Sequence, residues 1–372
     1  MVRVDAVGQH GAVGDSFLSL PYELYAGNPC WTPRLAKDTV RLLDTAYSPY
    51  WKQADRELFV AVRDGKVVGR IAVTDDRLAS HEDGANVGYF GFFETINDQS
   101  VADALLASAA NWLLARARSF MRGPFSPSPY IYDLGLLVDG FDEAQSFSEP
   151  YSLPYYQQLL ESRGLTKVVD YLSLELPGRP EERLLKDRVR RRVQSYPGLR
   201  VRRFDSSRIE HDLDIATEIL NATYQADSVY AADSFEVERF ALESLAPFGD
   251  WSLSSIAEVH GEPAGIMITS PNYDDLYERH TVHGDKPPLD ATQSVTGGCI
   301  VELAVASKFQ NTPTAAALIY AFWDAVIAQG YKYNKVCFVR ENNQASLSLT
   351  TAFGGRPTKR FRIYETALSN LV

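Results

Sequence analysis

The stretch that decides the fold spans residues 297–355 and reads GGCIVELAVASKFQNTPTAAALIYAFWDAVIAQGYKYNKVCFVRENNQASLSLTTAFGG. Its first part, residues 299–305, is apolar apart from Glu302, which is typical of a mostly buried strand. A short polar turn follows, and Pro313 stands where a helix can begin. Apolar residues then continue over residues 315–327, which predicts a helix that is buried on most sides.

The second part of this stretch predicts another strand and another helix. The strand covers residues 335–339, and the helix covers residues 342–353 and ends at Gly354 and Gly355. The order strand, turn, helix, strand is a βαβ-type unit, whose first helix begins with backbone N–H groups that have no intrahelical partner. Such a helix N-terminus favours phosphate. Any α/β protein contains units of this kind, so the pattern alone leaves a purely structural role open.

The residues of the turn resemble the pyrophosphate-binding loop of the GNAT superfamily of N-acetyltransferases. In that family a loop of the form Gln/Arg-x-x-Gly-x-Gly/Ala follows the central strand and binds acyl-CoA. Its six positions are occupied here by Gln310, Asn311, Thr312, Pro313, Thr314 and Ala315. Gln310 and Ala315 match the family pattern, whereas Pro313 replaces the first glycine and removes one N–H donor. The resemblance implies that this loop binds the pyrophosphate of acetyl-CoA or a longer acyl-CoA.

A second resemblance to the GNAT family lies in residues 341–355. In the family, an Asn at the start of the helix after the fifth strand lies near the pantetheine arm, and a Tyr on that helix often acts as general acid. Asn343 is the residue that the resemblance places near pantetheine, and Thr350 stands in the tyrosine position. A threonine hydroxyl is a poor proton donor near neutral pH, so the family's general acid is not expected at this position.

The first half of the chain has the GNAT order of elements, and the second half, which contains this stretch, repeats it. Hairpins are predicted around Asp64-Gly65 and around Gly261, and an aromatic strand covers residues 87–94. A long helix is predicted over residues 101–120. The segment that would bind phosphate in the first half, residues 94–100, reads ETINDQS and contains two acids, which would repel pyrophosphate.

We therefore predict an α/β (α+β) protein with two GNAT-like domains, each a mixed, mostly antiparallel twisted sheet flanked by helices. Residues 1–176 are predicted to form a degenerate N-terminal GNAT-like domain, and residues 177–372 a C-terminal GNAT domain with the acyl-CoA site. The whole chain resembles a tandem-GNAT subgroup of acyl-CoA N-acyltransferases of about this length. Some members of that branch resemble long-chain acyltransferases, and the aromatic loop of the first half favours a bulky apolar group on donor or acceptor.

The resemblance implies a reaction in which an amine attacks the thioester directly in a ternary complex. The carbonyl oxygen then needs a backbone N–H from the central strand, expected near Val305 or Ala306. Glu302 is the candidate base, taking the proton through water, and Tyr273 is the candidate acid. Glu94 is the corresponding carboxylate of the first half. Each of these residues also has a purely structural interpretation as a packed strand or loop residue.

The composition limits the class of protein. With 48 acidic against 37 basic residues, the chain is not expected to bind nucleic acid in general. Its three cysteines form no Cys-x-x-Cys pair. Its histidines are scattered, and no third metal ligand can be identified beside any pair of them, so no metal site is predicted. Buried thiols, the lack of an apolar run long enough to cross a membrane and the lack of a signal peptide all fit a reducing cytoplasm. The oligomeric state is open, with a homodimer as one expected assembly.

The join between the halves is the one strongly basic region. Three roles fit its arginines: they form a solvated helix face, they bind the phosphates of CoA, or they bind an acidic acyl-carrier protein. These alternatives stay open. The predicted function is an acyl-CoA-dependent N-acyltransferase acting on a small-molecule amine. The alternatives are a catalytically decayed GNAT-fold binding or regulatory protein, and a carrier-protein-dependent or Fem-like aminoacyl-tRNA-dependent acyltransferase.

Overall fold

The chain consists of two compact units. A computed structural model describes residues 1–7, 14–33, 36–79, 86–127, 133–146, 149–178, 187–224, 235–245, 251, 253–272, 295 and 297–372. Unit 1 contains the described residues of Met1–Tyr171 and also Lys359–Val372, whereas unit 2 contains those between Leu172 and Thr358. Both units combine a sheet with packed helices.

Unit 1 is built from strands at both ends of the chain. Its strands are β1 Arg3–Ala6, β2 Ala54–Arg63, β3 Lys66–Asp76, β4 Val87–Thr95, β5 Phe120–Gly123, β6 Leu136–Asp139, the first part of β7 Thr166–Pro177 and most of β13 Arg356–Ala367. Its helices are α1 Asp15–Leu24, α2 Ala36–Leu43, α3 Gln99–Leu114 and α4 Tyr156–Ser162. The strand order includes β1-β2-β3-β4-β5-β13, and β6 also pairs with β13. Only the β4–β5 pair among these is parallel.

Unit 2 has the same kind of sheet. Its strands are β8 Leu199–Arg203, β9 Ser255–Val259, β10 Glu262–Pro271, β11 Gly297–Val305 and β12 Tyr333–Arg340. Its helices are α5 Asp187–Ser195, α6 Ile209–Tyr224, α7 Phe235–Leu245, α8 Thr314–Ala328 and α9 Gln344–Ala352. The order is β12-β11-β10-β9-β8, with only β11 and β12 parallel. The predicted fold class, an α/β protein with mostly antiparallel sheets, is confirmed.

Local sequence signals place most of these elements correctly. The two hairpins form at Asp64-Gly65 and His260-Gly261, where both residues of each pair have positive φ, as the tight twisted turn requires. The predicted helix over residues 101–120 is wrong at its C-terminal end. Ala117 adopts a φ of 57°, which ends the helical path, and the chain continues as β5. The apolar residues at that end therefore belong to a strand.

Apolar packing covers one face of each sheet with a central helix. In unit 1, α3 buries Leu105, Leu106 and Leu113 in a cluster that includes Ile71 and Phe90. In unit 2, α8 contributes a comparable set in which Phe322 and Trp323 are almost completely buried. Because α8 is apolar around most of its surface, it lies deeply packed, as its sequence predicts. No helix among the described residues is long and apolar enough to cross a membrane.

The two cysteines of the central stretch are buried free thiols, as predicted. Cys299 of β11 and Cys337 of β12 lie with their sulfur atoms 3.4 Å apart. Cys30 is also a free thiol and is partly buried.

The C-terminal strand β13 is part of unit 1, where it pairs with β5 and β6. Lys359 on this strand forms an ion pair with Glu149 at 3.0 Å, and the two side chains are only 2% and 0% exposed. Removing one partner of such a pair strongly destabilises the fold, because the other charge stays buried without a counter-ion. The predicted division into independent domains at residues 176 and 177 is not tested by this pairing and stays a prediction.

We expect Lys359→Met to lower the free energy of unfolding by about 3–5 kcal/mol, because it leaves Glu149 buried without its cation. Adding Glu149→Gln should recover part of this loss. The matched control is Lys66→Met, since Lys66 is an exposed lysine at the start of β3 and its change should stay within about 0.5 kcal/mol. Urea unfolding measures all three variants, and equal losses for Lys359→Met and Lys66→Met would contradict the prediction.

Candidate functional site

The candidate site lies where β11 parts from β12. The two strands pair in parallel from Gly297 opposite Tyr333 to Ile300 opposite Val336, and no pairs follow although both strands continue. The residues of β11 beyond this point are only half-buried, with the exception of Ala304. A strand inside a sheet is normally bonded on both edges, so the parting opens a groove along β11.

The register of β11 on β10 determines which backbone groups face this groove. Ala306 donates its N–H to the Ala264 oxygen at 3.0 Å, so this N–H points towards β10. N–H groups alternate in direction along a strand. The N–H groups of Val305 and Leu303 therefore point away from β10, into the groove. Of the two residues predicted to supply a donor to a thioester carbonyl, Val305 has the suitable orientation.

A β-bulge lies just before Glu302. Glu302 stands opposite Ile268, whereas Ile300 stands opposite Thr269, so Val301 is an extra residue in β11. Bulges of this kind redirect the side chains that follow them and occur next to functional sites. The Glu302 side chain is half-buried, and the strand that carries it borders the groove. The sequence did not reveal this bulge.

The predicted phosphate loop connects the end of β11 to α8. Ser307–Phe309 forms one 3-10 turn, Asn311 takes a φ of 65°, and Pro313 is the N-cap residue of the helix. The Thr312 hydroxyl lies 2.7 Å from the Thr314 hydroxyl and donates to the Phe309 oxygen at 2.6 Å. These hydrogen bonds join residues of the same turn and stabilise it. Gln310 is fully on the surface, at the tip of the loop.

The first turn of α8 has backbone donors for which the described residues supply no acceptor. The first intrahelical bond comes from the Ala317 N–H to the Pro313 oxygen at 2.9 Å. The N–H groups of Ala315 and Ala316 precede it, and no acceptor among the described residues is recorded for them. Proline at the N-cap position removes an N–H there but leaves these two in place. A helix begins at the predicted position, and its role in binding phosphate stays a prediction.

An arginine of the basic join contacts this loop. Arg192 on α5 donates from Nη2 to the Asn311 oxygen at 3.2 Å, although the two residues are 119 positions apart. The guanidinium is exposed and lies beside the loop that precedes α8. The sequence identified the basic segment but gave no signal for this contact, which depends on how α5 packs in unit 2.

Asn343 and Thr350 both serve the helix that carries them. The Asn343 side chain caps α9 by accepting the Ser346 N–H at 3.0 Å. The Thr350 hydroxyl donates to the Ser346 oxygen at 2.7 Å and is buried. The Thr350 hydroxyl proton is thus used in a hydrogen bond within the helix, which agrees with the expectation that Thr350 is not a general acid. Tyr273, the predicted acid, lies outside the described residues.

In unit 1, β4 also separates from β5 before β4 ends, but there the segment that follows β5 bonds to β4. β4 pairs with β5 only as far as Tyr89 opposite Arg122. Beyond this point the Phe125 N–H donates to the Phe90 oxygen at 2.7 Å, and the Phe92 N–H donates to the Ser126 hydroxyl at 2.9 Å. A Cβ atom on Gly91 would lie 1.6 Å from the Phe125 oxygen, so the segment after β5 is pressed directly against β4.

The helix that follows β4 is also capped from within. The Asp98 carboxylate accepts the Ser100 N–H at 2.9 Å and pairs with Arg63 at 2.8 Å. The hydrogen bond from Arg63 holds the pKa of the Asp98 carboxyl well below its usual value. The first turn of α3 thus already has an anion of its own, in contrast to the first turn of α8. No group of three potential ligands that would hold a metal ion occurs among the described residues.

Known proteins resemble the chain over nearly its full length. No family model matches it. It is 29% identical over 370 residues to a protein named bacterial ceramide synthase from Caulobacter vibrioides, covering 95% of this chain and 94% of that protein. It is 26% identical over 372 residues to Protein YghO from Escherichia coli, covering 94% and 92% of the two chains.

A solved structure shows the same architecture. The tandem GNAT protein from the clavulanic acid biosynthesis pathway matches with a TM-score of 0.56 and 14% sequence identity, over 99% of each chain. At this identity the match concerns the fold alone. The chain has the tandem GNAT fold, as the resemblance of its sequence predicts.

We expect Asn343→Ala to lower the free energy of unfolding by about 1 kcal/mol, because the Ser346 N–H loses its cap. Asn343→Asp should keep stability close to that of the unchanged protein, since its carboxylate oxygen accepts the same bond. Thermal unfolding with a signal from unit 2 measures both variants. Equal stability of the alanine and aspartate variants would show that the cap is unimportant and would leave Asn343 available for another role.

Proposed function

We propose that the chain is an acyl-CoA-dependent N-acyltransferase whose donor binds along β11 and at the start of α8. The observation that carries this proposal is the groove beside β11, which leads to a helix N-terminus whose first N–H groups have no acceptor among the described residues. An extended pantetheine arm suits a strand edge with open backbone donors and acceptors, and a pyrophosphate suits the helix terminus. The tandem GNAT fold supports the same assignment.

The thioester would lie beside Val305. Its N–H faces the groove and would donate to the carbonyl oxygen, which gains negative charge as the amine attacks. Leu303, two residues earlier with the same orientation, would bond the pantetheine arm. The neighbouring residues of β11 pair with β10, and this pairing fixes the strand. The Val305 N–H therefore needs no reorganisation when negative charge develops on the carbonyl oxygen.

The pyrophosphate would bind the N–H groups of Ala315 and Ala316. The loop of Gln310, Asn311, Thr312 and Thr314 would shape this site, and Arg192 beside Asn311 would add positive charge. The Asp98 cap at the equivalent helix of unit 1 supports placing the donor in unit 2, because a second anion there would meet a carboxylate already in place.

In the proposed reaction the amine nitrogen forms a bond to the thioester carbon, and the carbon–sulfur bond breaks. Glu302 would accept the proton that the amine loses, through an intervening water. The departing thiolate of CoA takes up a proton, for which Tyr273 is the proposed donor. Both products, an amide and free CoA, are then neutral at the reacting atoms.

The proposed acceptor is a small-molecule amine. The relative named bacterial ceramide synthase supports N-acylation and favours a long acyl chain over acetyl. A carrier protein remains the alternative donor, because the exposed arginines of α5 beside the loop suit an acidic partner as well as CoA phosphates. Acyl-CoA binding without turnover of any amine would favour the decayed binding protein instead.

We expect Ala315→Asp to weaken acyl-CoA binding about ten-fold or more, because it places a carboxylate where the pyrophosphate would bind. An acid in the first turn also favours the helix dipole, so the fold should keep its stability. The matched control is Ala328→Asp at the exposed last turn of the same helix. Calorimetric titration with CoA, acetyl-CoA and a long-chain acyl-CoA measures affinity. Unchanged affinity in Ala315→Asp would place the donor elsewhere.

We expect Glu302→Gln to lower kcat about 100-fold or more while leaving the affinity for acyl-CoA unchanged, because only proton removal is lost. The control is Glu218→Gln, an exposed carboxylate on α6. The measurement is CoA release in the presence of an amine panel, followed by mass spectrometry of the amide product. A kcat in Glu302→Gln equal to that of the control would exclude this carboxylate as the base.

A further inference from the structure

Unit 1 contains a cavity that the proposed function does not use. It has a volume of about 100 Å³, and the described residues that line it all belong to unit 1. Its walls include Trp31, Arg70, Phe92, Glu94, Asp133 and Tyr151. This volume suits a compact group of a few heavy atoms, since an empty apolar cavity of about 150 Å³ holds a benzene ring.

Glu94 is the central polar group of this cavity. Its Oε2 atom accepts hydrogen bonds from the Tyr25 hydroxyl at 2.9 Å and from the Tyr156 hydroxyl at 2.7 Å. Its Oε1 atom lies 3.9 Å from Nη2 of Arg70, too far for a hydrogen bond. This contact with Arg70 is an ion pair. The described residues form no hydrogen bond to Oε1, so an ammonium group could still donate to this oxygen.

The two tyrosines fix the orientation of the carboxylate. Tyr25 stacks on Trp31 with ring centroids 4.8 Å apart, and Tyr156 also accepts the Thr95 N–H at 3.1 Å. Burial and the nearby Glu94 charge raise the pKa of both hydroxyls well above the usual value, so both remain donors at neutral pH. The protein therefore gives Oε2 two hydrogen bonds, whereas Oε1 has only the longer ion pair with Arg70 among the described residues.

The charges around the cavity favour a cationic ligand. Arg70 pairs with Glu94 at 3.9 Å and also donates from Nη1 to the Phe17 backbone oxygen at 2.6 Å. Its single positive charge faces two carboxylates of the cavity wall, Glu94 and Asp133. Burial raises the pKa of the Glu94 carboxyl in spite of Arg70, and the Asp133 charge adds to this effect. The carboxylate would thus gain from an additional positive charge close to Oε1.

The walls distinguish between an organic cation and a metal ion. Trp31, Phe92 and Tyr151 present aromatic rings, which attract ammonium groups over their faces. A metal ion would need several committed oxygen, nitrogen or sulfur ligands, and no such group of three occurs among the described residues. A primary ammonium can donate to Oε1 and contact the rings at the same time.

We propose that unit 1 binds a compact primary ammonium group in this cavity, with Glu94 as its counter-ion and hydrogen-bond acceptor. The ligand is a small amine or the amine end of a larger molecule. The described residues of the site all belong to unit 1, and binding there does not depend on acyl transfer in unit 2.

The test is a ligand-observed NMR titration of the full chain with n-propylammonium, using 1-propanol as the uncharged probe of similar shape. We expect saturable binding of n-propylammonium and affinity for 1-propanol weaker by about ten-fold or more. Glu94→Gln should weaken n-propylammonium binding to a similar degree. The amide oxygen of Gln still accepts the tyrosine bonds, so the fold should be retained, and thermal unfolding checks this.

Two further variants make the result specific. Asp64→Asn exchanges a carboxylate for an amide in the exposed β2–β3 turn and should bind n-propylammonium as the unchanged protein does. Trp31→Leu removes one aromatic wall and the ring on which Tyr25 stacks, and it should weaken binding about three-fold or more. Equal binding of the two probes, unchanged binding in Glu94→Gln, or no binding of n-propylammonium would each overturn the proposal.

Discussion

The separation of β11 from β12 after Ile300 is the constraint on which the candidate site depends. Backbone N–H and C=O groups inside a sheet need partners, and beyond Ile300 no described strand pairs with this edge of β11. The bonds to β10, such as that of Ala306, hold the other edge fixed. A rigid strand with one open edge is suited to bind an extended ligand, and the free N–H groups of α8 lie directly after it in the chain.

The two units handle the same constraint differently. In unit 1 the open edge of β4 is bonded by Phe125 and Ser126, and Asp98 caps the helix that follows. In unit 2 neither the strand edge nor the helix terminus has such a substitute from the described residues. Filling the groove in unit 1 removes a ligand site there, while the buried Glu94 on the same strand becomes the centre of a separate cavity.

Electrostatics separate the two sites further. The loop before α8 lies beside the exposed Arg192, whereas the cavity of unit 1 is organised around a carboxylate. The chain is acidic as a whole, yet one of its local sites is proposed to bind an anionic donor and the other a cation. Local geometry, and not net charge, decides what each site would bind.

The sequence by itself determined the elements whose signals lie in adjacent residues. The Asp64-Gly65 turn, the apolar strand around Glu302 and the buried helix after Pro313 follow from turn chemistry and periodicity within a few positions. The resemblance of the loop and of the repeated order of elements gave the tandem GNAT fold. Only the tertiary structure decided the rest: the bulge at Val301, the direction of the Val305 N–H, and the contact of Arg192 with a loop 119 residues away. These features depend on strand register and helix packing between distant segments, and no local pattern of side chains encodes them.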